Sequence, residues 1–162
     1  MPKKLPGIVS CMLIATLLPA CDAVIFQELK PGVSTDFEVR DQMGAPTMEW
    51  QEADGSVVWE YPRMPNGVVN YMVLIGPDKI LREIRQVLTE ENFARVVPGM
   101  SKSEVRRLLG KPAEENFFQL KKEWVWRWKI KHEGNIQTFF DVHFDEAGRV
   151  LRAGEFEMAQ PG

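Results

Sequence analysis

Few side chains in this sequence carry the chemistry of metal binding or catalysis. The histidines are His132 and His143 alone, and the cysteines Cys11 and Cys21. Asp141 and His143, two residues apart, would project from one side of a strand and could begin a metal site, yet no third ligand stands near them in sequence. The carboxylates Glu114, Glu115, Asp145 and Glu146 could pair as acid and base, but they fall in predicted surface loops. No nucleophile–base pattern and no phosphate-cradling glycine loop is present. The expectation is a protein that is not an enzyme, with no cofactor, metal or small-molecule substrate.

Recognition chemistry is better represented. Trp124, Trp126 and Trp128 recur at period two and share one strand face, while Arg127, Lys129 and Lys131 share the other. The tryptophans either cover the sheet beneath a helix or form an exposed stripe for a protein partner, since Trp and Arg dominate binding hot spots. The Arg/Lys face is either a solvated surface or a dock for an acidic partner.

These residues belong to a chain of 162 residues, 44% hydrophobic and 27% charged, the profile of one or two folded domains. The formal net charge is -3. Loss of Lys3 and Lys4 with a cleaved leader would make it more negative, which argues against nucleic acid and against an electrostatic grip on anionic lipid. The N-terminus has that leader's form: two lysines, an apolar run from Ile8 to Leu18 too short to span a bilayer, and then Leu18-Pro19-Ala20-Cys21. This end resembles a bacterial lipobox. The resemblance implies cleavage after residue 20, diacylglycerol on the Cys21 sulfur and acylation of the new amine. Two or three acyl chains, at about 0.8 kcal/mol per buried CH₂, anchor firmly. With Cys11 removed and Cys21 lipidated, no disulfide forms within the mature chain. Asp22 resembles the inner-membrane retention signal of enteric lipoproteins, so the inner membrane stays open beside the outer.

An internal repeat organises the remainder. Phe26-Gln27-Glu28-Leu29-Lys30-Pro31-Gly32-Val33-Ser34 recurs 67 positions on as Phe93-Ala94-Arg95-Val96-Val97-Pro98-Gly99-Met100-Ser101, and Trp59 recurs as Trp126. Each Pro-Gly reorients the chain into a helix opened by a capping box, Thr35 with Glu38 and Ser101 with Glu104. The first helix would bury Phe37, Arg40 and Met43 and end at Gly44. The second would bury Val105, Leu108 and Leu109, turn Lys102, Arg106 and Arg107 away, and end at Gly110. Three strands follow each helix: Val57 to Tyr61, Val69 to Ile75 and Ile80 to Leu88, then Trp124 to Ile130, Ile136 to Phe144 and Val150 to Met158. Short turns between them predict antiparallel meanders. The fold class is therefore α+β: two tandem units, 22–89 and 90–162, each of short helices packed on a three-stranded antiparallel meander behind a leader over 1–20.

The Pro-Gly-Met/Val-Ser lead, the helix ending Leu-Leu-Gly-Lys-Pro, the Trp-x-Trp/Tyr strand and the closing Phe144-Asp145-Glu146-Ala147-Gly148-Arg149-Val150 resemble the BamE/SmpA small outer-membrane lipoproteins. The resemblance covers 26–88 and 93–158 and is sharper in the second copy. It implies a non-enzymatic accessory subunit of the machine that inserts β-barrel proteins into the outer membrane, lipid-anchored and facing the periplasm. The chain departs from that family in carrying two units. Doubling is similar to the β-lactamase inhibitory proteins, whose tandem units grip an enzyme; those are secreted and disulfide-bonded. A protein-binding module that blocks a periplasmic enzyme is thus the alternative expectation. Phe26 follows Cys21 by five positions, so the tether spans at most about 17 Å. That would hold the first unit at the membrane and turn the second, with Trp124, Trp126, Trp128, Arg127 and Lys129, towards an envelope partner.

Overall fold

The computed structural model describes residues 25–159; the leader, Cys21 and Asp22 lie outside the described residues. After helical residues 25–28 the elements run α1 (Asp36–Met43), β1 (Met48–Gln51), β2 (Val57–Pro62), β3 (Asn70–Ile75) and β4 (Leu81–Gln86). They continue as α2 (Glu90–Ala94), α3 (Lys102–Leu109), β5 (Glu114–Phe118), β6 (Glu123–Glu133), β7 (Ile136–Phe144) and β8 (Val150–Ala159).

Each Pro-Gly turn hands the chain to a capped helix. Gly32 and Gly99 take φ of +81° and +91°, where a side chain is disfavoured. Their amides donate to the carbonyls of Leu81 and Val150, both at 2.8 Å, tying each turn to the last strand of its own unit. The Thr35 and Ser101 hydroxyls then accept from the amides of Glu38 and Glu104, and each glutamate accepts from its cap's amide at 2.7 Å. Both capping boxes read from the sequence are formed. The helices stop at Gly44 and Gly110, φ +82° and +76°.

The α+β class holds, but the sheets have four strands where three were expected: β1-β2-β3-β4 and β5-β6-β7-β8, antiparallel throughout. The extra strands, β1 and β5, are short edges, and β5 contains Glu114 and Glu115, which the sequence had suggested were loop residues. Their charged composition has little β preference; pairing with β2 and β6 supplies the order instead.

One core gathers Val39, Met43, Trp59, Tyr61, Val73 and Leu81; the other gathers Phe93, Val105, Leu109, Trp126, Trp128 and Phe144. The repeat is kept in detail: the Tyr61 hydroxyl donates to the Gly44 carbonyl (3.0 Å) as the Trp128 indole donates to that of Gly110 (3.1 Å). Burial pushes the Tyr61 hydroxyl up to about 12. Helix α1 is rotated from its predicted phase. Val39 and Met43 are buried, Phe37 is 74% exposed, and the Arg40 guanidinium covers Trp59 at 4.1 Å. The i, i+4 pair fits the narrow stripe of a two-turn helix; adding Phe37 would not.

The crossing between units is three residues, Val87-Leu88-Thr89, with Val87 and Leu88 buried. The Val87 amide donates to the Asn70 carbonyl and the Val87 carbonyl accepts from Asn92 Nδ2, both at 2.9 Å. The Gln86 side chain brackets both backbone groups of Leu88.

Candidate partner-binding surface

Helix α3 serves both units. Val105 and Leu109 enter the second core, while its opposite side closes the back of the first sheet. There Arg106 donates from Nε (3.1 Å) and Nη2 (3.0 Å) to the two oxygens of Glu60, whose side chain is 0% exposed and also accepts from Thr47 Oγ1 (2.8 Å). Asn70 Nδ2 caps the helix end by donating to the carbonyls of Leu109 (2.8 Å) and Lys111 (3.0 Å). Arg107 donates to Glu52 (2.8 Å) and lies 4.8 Å from the Trp50 ring. Arg106 and Arg107, expected to turn away, do leave their own core but land on the other unit's sheet. Lys102, also expected outward, lies 3.8 Å from the Trp124 ring and 5.3 Å from Trp126. Burial lowers its pKa, partly opposed by the charge of Glu115.

The corresponding back face of the second sheet carries no helix among the described residues, because α2 and α3 pack on the other side. Register sets its composition in rows: Glu114, Arg127, Asp141 and Gly154 lie across four strands, and Asn116, Val125, His143 and Arg152 form the next. Arg127 grips Asp141 bidentately, Nε to Oδ1 and Nη2 to Oδ2, both at 2.8 Å, and covers the Phe156 ring at 4.4 Å. Arg152 donates to both oxygens of Glu123 (3.1 and 2.8 Å), and His143 Nδ1 stands 3.1 Å from the same carboxylate. Hydrogen bonding from Arg152, opposed by burial and helped by His143, pulls the Glu123 carboxyl down to about 2. Over this lattice lies a depression of about 400 Å³, floored in part by Gly154, where a Cβ would meet nothing within 4 Å.

Of the residues singled out in the sequence, Trp126 and Trp128 stand in the second core and Trp124 is half-buried beneath Lys102. Arg127 and Lys129 lie on the back face, Lys129 donating to the Asn66 carbonyl of the first unit (3.3 Å). Asp141 and His143 do share a face, but each is engaged with its own arginine. Among the described residues no group of three or more His, Cys, Asp or Glu side chains could hold a metal ion. Asp145 accepts from the Arg149 amide in the β7–β8 turn (2.8 Å), and Glu146 lies in that turn near Lys122 (3.8 Å). Sequence reasoning missed Glu60 and Asn70. The available signal was a carboxylate inside Val57-Val58-Trp59-Glu60-Tyr61, where both strand faces are apolar.

Residues 86–154 match the outer membrane protein assembly factor BamE domain. That segment is nearly the whole second unit, from the crossing through most of β8. In structure, the chain is similar to a candidate β-lactamase inhibitor protein of Streptococcus mutans, at 13% identity and a TM-score of 0.34, over 85% of this chain and 96% of that one. It is also similar to a DUF4309 family protein of Bacillus subtilis, at 14% identity and a TM-score of 0.30, over 83% and 84%. At these scores neither likeness bears on function. No curated protein matches the chain in sequence. No helix among the described residues is long and apolar enough to cross a membrane.

Proposed function

We propose that this protein is a non-enzymatic accessory subunit in outer-membrane protein assembly, tethered by lipid on Cys21 and facing the periplasm. The observation that carries the reading is the match of residues 86–154 to the BamE domain. In this reading residues 1–20 are a cleaved leader, 22–89 hold the first unit near the membrane, and 90–162 present the second. The outer membrane is the favoured location despite Asp22. The back face of the second sheet, with Arg127 and Lys129, meets the envelope partner. Trp126 and Trp128 support that face from beneath. An ion-paired, half-buried arginine over aromatic rings suits a protein contact, since a partner can add bonds to a guanidinium already held in place.

The test is photocrosslinking in whole cells from a reactive residue at Lys129 or Arg152. Capture of barrel-assembly subunits is the expected result. Capture of a hydrolase alone, with inhibition of that enzyme by the purified protein, would replace the scaffold by an inhibitor. The anchor is tested separately: wild type should take up labelled palmitate and Cys21→Ser should not.

A further inference from the structure

The seam between the units contains a second feature that the assembly reading does not use. Where the open end of the first sheet's back face meets α2 and α3, the units leave a cavity of about 240 Å³. Its floor is apolar: Met72 and Val87 are buried, and Val58 and Leu108 are half-buried. Its rim is made of three exposed arginines from three different elements: Arg85 of β4, Arg95 just after α2, and Arg107 of α3. Among the described residues Glu52 is the one carboxylate in the walls, and it pairs with Arg107. Arg85 pairs with Glu83 through Nε at 3.3 Å, and Arg95 donates to the Asn92 side chain at 3.1 Å and forms no ion pair among the described residues. Trp50 completes the wall, and its buried indole N–H finds no acceptor among the described residues.

We propose that this cleft binds an acidic peptide segment of a protein partner, with a carboxylate side chain among Arg85, Arg95 and Arg107 and a neighbouring apolar side chain on the floor. Charge decides the first half. Three guanidiniums face two carboxylates of the chain's own, Glu52 and Glu83, which leaves a net positive charge centred on Arg95, and their planar forks match a carboxylate bidentately. The floor decides the second. A free phosphate would set its charge against Met72, Val87 and Leu108 and leave that surface wet, whereas a peptide can cover it. The volume suits one or two side chains and falls below that of a cofactor pocket, which runs from about 300 Å³ upward. The same seam already accepts this chemistry once, in Glu60 between Thr47 and Arg106. The cleft exists only through the tandem arrangement, because Trp50, Val58, Met72 and Arg85 all precede the segment that matches the BamE domain. It therefore stands or falls apart from the outer face of the second sheet.

The experiment uses the full chain in detergent and a fluorescein-labelled hexapeptide of alternating phenylalanine and glutamate, with a phenylalanine–glutamine peptide as its neutral twin. Fluorescence anisotropy should show the acidic peptide binding at least about tenfold more tightly than the neutral one, an affinity that falls as salt rises. Arg85→Gln/Arg95→Gln should weaken it by a further factor of about ten or more without lowering the melting temperature, since both side chains are exposed. Lys121→Gln, an exposed change in the β5–β6 turn away from the cleft, should leave binding unchanged. Failure of the wild type to bind, equal binding by the double variant, or a loss as large in Lys121→Gln would overturn the proposal. Displacement by inorganic phosphate would overturn it too, reassigning the cleft to a small anion.

Discussion

The back faces of the two sheets are built at equivalent positions and end in different states. On the first, Glu60 opposes Met72 across β2 and β3, and helix α3 closes over both. On the second, Arg127 and Asp141 take those places and satisfy each other across β6 and β7. A face that is covered can leave a carboxylate to be paired by the covering element, whereas an open face has to pair its charges within itself. One sheet surface thus has an internal role, while its counterpart faces solvent.

That contrast can be broken most forcefully at Arg106. Arg106→Ala strands the buried Glu60 carboxylate and should cost about 3–5 kcal/mol in urea titration, with Glu60→Leu/Arg106→Met recovering most of it. The matching change on the open face, Asp141→Ala, should cost only about 1 kcal/mol because water reaches Arg127. Equal losses would mean that coverage is not what separates the two faces. Next, Asn70→Ala removes the cap on two carbonyls of the α3 end and should cost about 1–3 kcal/mol by the same measurement. Smaller again is Tyr61→Phe, which frees the Gly44 carbonyl and should cost about 1 kcal/mol; the fluorescence of the second unit's tryptophans should not change before global unfolding.

The smallest effect concerns acid. The Glu123 carboxyl is held at about 2 in the folded protein against an ordinary 4.5. A depressed folded value stabilises fully above 4.5, and that contribution is lost as pH falls from 4.5 towards about 2. Thermal melts of wild type and Glu123→Gln should therefore differ near neutrality and converge as pH drops through that window. A gap that stays constant would show that the lattice on the open face is not what stabilises Glu123.

Local signals made much of this fold legible. Thr35 with Glu38, Ser101 with Glu104 and the glycines behind them announce both helices, and the offset of 67 announces that the second unit repeats the elements of the first. Alternation along Trp124 to Ile130 marks a strand but does not say which face is covered. The short edges β1 and β5 stayed hidden because four or five residues with charges among them carry little pattern without their partner strand. The role of Arg106 was invisible for a different reason: its partner Glu60 lies 46 residues away, and an arginine on the polar side of an amphipathic helix reads as solvated until another sheet is laid against it. Phe37 shows the converse, an aromatic that looks like core in a two-turn window and stands outside it. Arg85, Arg95 and Arg107 meet only because both units are present.

The crossing at Val87-Leu88-Thr89 is a seam rather than a tether. With Val87 and Leu88 buried and Val87 bonded to Asn70 on one side and Asn92 on the other, parting the units would wet both apolar side chains and leave the Asn70 carbonyl and the Asn92 amide without their partners.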